Sequence, residues 1–245
     1  MVFRIKKEKG GKMEELRFVN FISGGGTTNL EVLKAEKNSN NNGGLVGLTK
    51  TVAIIASSED TAGIDKALEA GFPEENIHVV KPENSNFTYH LNVCLQYYEA
   101  NYFHQLGWMP FTPSALLKYF NGLNQHFGTG GKGMFGVRRA YVHLEFCKQV
   151  DRKEPVSIFC QRVARKYDEG AVISLRKVDI DFKMSPEEVS EFLLPIEHEV
   201  QIEGRAMLSR GNFVDKEVPR LAKNEKEMKL LENLKKEAVR KYPNT

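Results

Sequence analysis

Four short stretches of this chain bring together residue types that can do chemistry. The first, Ser23-Gly-Gly-Gly-Thr-Thr-Asn29, sets three glycines before two hydroxyls and an amide. Between a strand and a helix, such a turn lets backbone N–H groups and the helix N-terminus hold a phosphate. It is not G-x-G-x-x-G, because position 29 is Asn, and not a P-loop, because no Lys follows. A tight turn with hydroxyl caps is the plainer alternative; three glycines and two threonines at the first strand–helix junction favour phosphate. The second stretch is Asn124-Gln-His126. An amide and an imidazole two apart on an extended segment point the same way. Together they can donate to a developing oxyanion, although a lone His more often has a structural role. The third, Tyr167-Asp-Glu-Gly170, is by itself a turn, with Asp168 as the turn former. In the fourth, Gly128 to Gly136, glycines surround Lys132 and lead to Arg138 and Arg139. That cluster is either a solvated face or a partner for an anion. His198-Glu199 opens like a zinc-protease helix motif, but position 202 is Ile, and no other His, Cys or acidic spacing forms a metal site. No metal is expected.

The elements that must position these groups follow a regular alternation. Arg17–Ser23 is a short apolar run entering the glycine turn, hence a buried strand. Asn29–Glu36 reads as a helix, and Asn38–Gly44 as an exposed loop. Thr51–Ala56 is a second strand. Gly63–Ala70 is a helix stopped by Gly71 and Pro73. Ile77–Val80 is a third strand, Thr88–Ala100 a helix, Tyr102–Leu106 a strand, and Pro113–Phe120 a helix that Pro113 can start. This alternation predicts a parallel sheet covered on both faces. Gly122-Leu123 is strand-like, and a helix is expected near Arg138–Cys147. Val156–Val163 and Val172–Ile180 then read as two strands of a hairpin around the Tyr-Asp-Glu-Gly turn. Ser185-Pro-Glu-Glu is a capped helix start. The last 30 or so residues read as one or two surface helices, the second over Glu225–Lys241. The division expected is a charged N-terminal extension over residues 1–16, a main domain over 17–210, and a charged helical tail over 211–245.

Composition bounds the function. The 245 residues include 41% hydrophobic and 27% charged residues, an ordinary globular balance. Thirty-five Lys and Arg against 32 Asp and Glu leave a formal charge of +3, too small to argue for nucleic acid. The cysteines Cys94, Cys147 and Cys160 have no C-x-x-C spacing, which suits a reducing compartment. Neither a signal peptide nor a membrane span is apparent. A cytoplasmic location is expected.

Taken in order, the motifs resemble the phosphoribosylglycinamide formyltransferases, the folate-dependent glycinamide ribonucleotide transformylases of de novo purine synthesis. That family opens with a strand and S-G-x-G-(S/T)-N-L; Phe21-Ile-Ser-Gly-Gly-Gly-Thr-Thr-Asn-Leu30 matches with one extra residue. Its L-A-G-x-M-R-I-L is echoed by Leu106-Gly-Trp-Met-Pro-Phe111, and its N-x-H by Asn124-Gln-His126. Its G-G-K-G-M-(Y/F)-G matches Gly130-Gly-Lys-Gly-Met-Phe-Gly136, the most specific of the matches. Tyr167-Asp168-Glu-Gly170 matches its D-x-G, and Ile196-Glu197-His198 its late E-H. The chain departs from the pattern in a shorter segment after His126 and in Pro110, where the family has Arg.

The resemblance implies an α/β fold: a Rossmann-like open, mostly parallel sheet with helices on both faces. It implies attack of the glycinamide amine on the formyl carbon of 10-formyltetrahydrofolate, the co-substrate. Asn124 and His126 would be the oxyanion donors, with Asp168 orienting His126 or a water and taking up the proton. Gly25, Gly26, Thr27, Thr28 and Asn29 would cradle the substrate phosphate, and Glu197 would hold the ribose hydroxyls. Leu106, Met109, Pro110, Phe111, Val163 and Tyr167 would line the folate pocket, with Lys132 and Met134 on the adjoining loop. The partners are small-molecule substrates, with neither nucleic acid nor membrane; the oligomeric state stays open, a homodimer being one option. The alternatives are formyl transfer to another amine, such as an amino sugar nucleotide or methionyl-tRNA, and a ribonucleotide-binding protein that has lost turnover.

Overall fold

The computed structural model describes residues 14–243. The expectation for the charged lead-in falls mostly outside them. Seven strands form one sheet in the order β3-β2-β1-β4-β5-β6-β7. Strand β1 (Leu16–Ile22) is buried along most of its length, and α1 (Thr27–Ala35) follows the glycine turn. Then come β2 (Thr49–Ala56), α2 (Gly63–Glu69), β3 (Ile77–Val79) and α3 (Phe87–Tyr97). Strands β4 (Tyr102–Gln105) and β5 (Asn121–Phe127) complete the parallel part. Helix α4 (Val137–Gln149) leads to β6 (Val156–Arg162) and β7 (Val172–Val178), which join antiparallel. Parallel strands need a crossover, whereas the turn at residues 167–170 lets β7 fold straight back on β6.

Pro113–Phe120, read as a helix, is only a single 3-10 turn over Leu116–Lys118. Pro113 does begin it, since its carbonyl accepts from Leu116 N at 2.9 Å. The chain must however enter β5 at Asn121, which leaves room for one turn. Helix α5 (Pro186–Arg210) starts as its sequence signals: Ser185 Oγ accepts from Glu188 N at 3.1 Å, and Glu188 Oε2 accepts from Ser185 N at 2.7 Å. This reciprocal cap satisfies two N–H groups that the first turn cannot. Helix α6 (Glu225–Lys241) buries Leu231, Leu234 and Ala238 against Met134, Tyr141, Val142 and Phe146, at the start and on the flank of α4. Among the described residues no helix is long and apolar enough to cross a membrane.

The core has a polar centre that hydrophobic patterning does not reveal. Arg205 of α5 is fully buried. It donates to Glu36 Oε1 at 2.8 Å, to His104 Nδ1 at 3.0 Å and to the Asn20 carboxamide oxygen, and its guanidinium lies 4.1 Å from the centre of the Phe18 ring. Glu36 in turn accepts from Thr51 N at 2.9 Å. Burial pushes the Arg205 pKa down to about 10, against the pull of Glu36, and pushes that of Glu36 up, against the pull of Arg205. One cation thus ties α5 to β1, β2 and β4 across the middle of the sheet.

Candidate active site

Strand order reverses between β1 and β4, so the loops leaving their carboxyl ends diverge. In an open α/β sheet that divergence makes the ligand crevice. The sequence supplies each rim of it.

On the β1 side, Gly26 caps α1 at φ 64°, a left-handed conformation that favours glycine. A Cβ there would lie 2.4 Å from the Gly63 Cα, so the starts of α1 and α2 meet backbone to backbone. The first-turn N–H groups of Thr27, Thr28 and Asn29 have no carbonyl of their own helix to bond, which leaves them free for an anion. Asn29 is buried; its Oδ1 accepts from Asn20 Nδ2 at 2.7 Å, and its Nδ2 has no partner. Lys66 Nζ donates to the Gly25 carbonyl at 2.7 Å and brings a cation to the same turn. Nothing in the sequence pattern singles out Lys66. It comes to the turn only because the two glycines bring α2 so close.

On the β5 side, the pleat places Asn124 and His126 on one face, while Leu123 enters the core beneath α4 and α5. Gln161 of β6 lies opposite Asn124 in the antiparallel register. Asp168, at φ 53°, reaches back from the β6–β7 turn. Its Oδ1 accepts from Asn124 Nδ2 at 3.1 Å and from Gln161 Nε2 at 3.2 Å, and its Oδ2 accepts from Gly131 N at 2.9 Å. The same Oδ1 is 3.3 Å from His126 Nδ1. The three residues singled out from sequence therefore meet. Gln161 joins them unforeseen, because a lone Gln within a strand carries no signal.

His126 is buried, 3% exposed, and its Nε2 has no hydrogen-bond partner. Burial pushes its pKa down to about 4; Asp168 and a hydrogen bond to the Thr129 backbone pull upward, and Arg139 and Lys235 add to the downward push. The ring is neutral near pH 7, and a neutral imidazole donates through one nitrogen and accepts through the other.

These groups line a cavity of about 140 Å³, whose other walls include Trp108, Met109, Pro110, Phe111, Val163 and Tyr167. Met134 also lines it. The rings of Phe111 and Tyr167 lie 4.9 Å apart, both partly exposed to solvent. Met109 N donates to Ser23 Oγ at 3.0 Å and ties this wall to the glycine turn. Two expected residues sit elsewhere: Leu106 turns into the core beside Ile22 and Val32, and Glu197 is buried on α5 away from the cavity wall, while Lys132 is exposed on the adjoining loop. Burial pushes the Glu197 pKa up, with Arg139 countering, and its Oε1 has no partner. Among the described residues no group of three His, Cys, Asp or Glu side chains is placed to hold a metal.

Such a site can stabilise negative charge on an oxygen beside a group that takes up a proton, the needs of acyl-type transfer to an amine. Residues 16–204 match the family described as formyl transferase. No curated protein matches the sequence. Solved structures similar to this one include phosphoribosylglycinamide formyltransferase from Brucella melitensis, with 18% identity and a TM-score of 0.64, covering 82% of this chain and 100% of that one. Glycinamide ribonucleotide transformylase 1 from Symbiobacterium toebii is 20% identical with a TM-score of 0.64, covering 82% of this chain and 91% of that one. Phosphoribosylglycinamide formyltransferase from Coxiella burnetii, solved with CHES, is 20% identical with a TM-score of 0.64, covering 83% and 92%.

Proposed function

The chain belongs to the formyl transferase family, and we propose that it transfers the formyl group of 10-formyltetrahydrofolate to the amine of glycinamide ribonucleotide, a step of de novo purine synthesis. The observation that carries this reading is the convergence of Asn124, His126 and Asp168 on one cavity. Attack of an amine on a formyl carbon builds negative charge on the formyl oxygen and positive charge on the nitrogen. Asn124 Nδ2 and His126 Nε2 are the donors for the oxygen. Asp168 takes up the proton, directly or through a water. The similar solved proteins act on glycinamide ribonucleotide by name, which supports that acceptor over another amine.

The ribonucleotide phosphate rests on the N–H groups of Thr27, Thr28 and Asn29 beside Gly25, Gly26 and Lys66. The pterin takes the slot between Met109–Phe111 and Val163–Tyr167.

The test pairs an assay of formyl transfer, using ribonucleotide and 10-formyltetrahydrofolate, with melting in the ribonucleotide alone. A ligand at about 100 times its Kd adds roughly 2.7 kcal/mol of stability, so the melting temperature rises by several degrees. A shift with a nucleotide sugar but none with glycinamide ribonucleotide overturns the assigned acceptor.

A further inference from the structure

Arg139 follows the glycine-rich stretch as part of its basic cluster, and it reaches the centre of the site. It is the third residue of α4, and its Nη1 donates to His126 Nδ1 at 3.3 Å. Its guanidinium lies 4.0 Å from the centre of the Phe127 ring, and its Nε has no partner. Burial lowers its pKa, with Glu197 and Asp168 countering; a guanidinium starts so high that it stays charged.

We propose that Arg139 selects the tautomer of His126, placing the ring proton on Nε2 so that this nitrogen faces the cavity as a hydrogen-bond donor. A guanidinium can only donate, so Nδ1 must accept and cannot carry the proton. Asp168 Oδ1 stands the same 3.3 Å from Nδ1 and would favour the opposite tautomer, but it already accepts from Asn124 and Gln161. Nε2, the nitrogen without a protein partner, is left as the donor to a forming oxyanion. The charged groups that face the ring are Asp168 on the β6–β7 turn, Arg139 on α4 and Lys235 on α6, with Glu197 of α5 acting on Arg139, and the Thr129 backbone bonds the ring as well. Arg139 is thus a positioning residue, and it acts through His126. The inference rests on His126 being the oxyanion donor, but the tautomer can be read without any reaction.

The experiment is nitrogen-15 NMR of ring-labelled protein, with the formyl-transfer rate measured beside it. In the parent, His126 should be neutral at pH 7 with the proton on Nε2. In Arg139→Met the proton should move to Nδ1, bonded to Asp168, and the ring pKa should rise. The same variant should lose about 10²–10³ in kcat, the usual value of one oxyanion donor, with KM for the ribonucleotide little changed. Arg139→Lys keeps a charged donor and should restore the tautomer and part of the rate; it also serves if the Met variant fails to fold. An Nδ1–H ring in the parent, or an Nε2–H ring retained in Arg139→Met, overturns the proposal. The expected tautomers without any formyl transfer would keep this inference and overturn the assigned reaction instead.

Discussion

Replacing Asp168 by Asn tests the core of the site with little disturbance around it. The residue sits at φ 53°, a conformation Asn tolerates well, so the turn itself is not strained by the change. The carboxylate accepts at both oxygens, from Asn124 and Gln161 at Oδ1 and from Gly131 N at Oδ2. A carboxamide has one oxygen and one NH2 group, so one side of it must oppose a donor. The less costly orientation keeps the oxygen toward the two amides and turns the NH2 toward Gly131 N. That loses one hydrogen bond to a charged group, at about 1.5–3 kcal/mol of stability. The effect on catalysis is separate and larger. A positioned acid–base group contributes about 10²–10⁴ in rate, or roughly 2.7–5.4 kcal/mol of barrier. The assay is single-turnover formyl transfer at saturating substrates, with the ribonucleotide Kd measured in parallel. The Kd should hardly move, because the glycine turn lies on the other rim. A variant as fast as the parent would show Asp168 to be a turn residue only, and the acid–base assignment would fall with it.

Gly130→Ala probes the same carboxylate from the loop: its Cβ would lie 2.4 Å from the Asp168 Cβ, so the side chain must move, and a displacement of that order costs about 10² in kcat. A parental rate in that variant would show that the position of Asp168 is not critical. The His126 pKa, lowered to about 4, has a consequence for stability. Between about pH 6.5 and 4 the unfolded ring binds the proton that the folded ring refuses, so the stability present above pH 6.5 falls by about 3 kcal/mol as pH drops to 4. His104, pushed well below its ordinary value by burial first and Arg205 next, acts in the same direction. Urea unfolding of the parent against His126→Gln across that range should show the parent's steeper loss; parallel curves would refute it. Arg205→Met strands the buried Glu36 carboxylate and should cost about 3–5 kcal/mol by the same method, whereas a loss under 1 kcal/mol would show that water reaches Glu36.

Much of the fold is legible in the sequence because each local signal agrees with its neighbour. The Ser185 cap, the glycine turn after β1 and the Glu225–Lys241 helix all fall where residue types place them. The failure at Pro113–Phe120 is one of length: a helix-compatible composition cannot reveal that β5 must begin at Asn121. For the site, Asn124, His126 and Asp168 were readable through motif order. Gln161 and Lys66 were not, because they arrive by cross-strand register and by close approach of two glycines; Arg139 was legible as part of a basic cluster, but not as a neighbour of His126. Leu106 illustrates the reverse limit. It sits in the matching motif, but the chain turns there and sends its side chain into the core. The buried Arg205 network carries no sequence signal, because a lone Arg on a helix usually reads as a solvent-facing charge.

That network also constrains how the sequence can drift. Losing Arg205 leaves an unpaired buried carboxylate, and losing Glu36 leaves an unpaired buried guanidinium; either single step is severe. A matched apolar pair of similar volume can be neutral or better, so the two positions can change together far more cheaply than in succession. The intermediate genotypes form a valley that a lineage must cross in one move or not at all. Descendants of this chain should therefore keep both residues or have lost both, and a paralogue retaining just one should betray a compensating change at Asn20, Thr51 or His104.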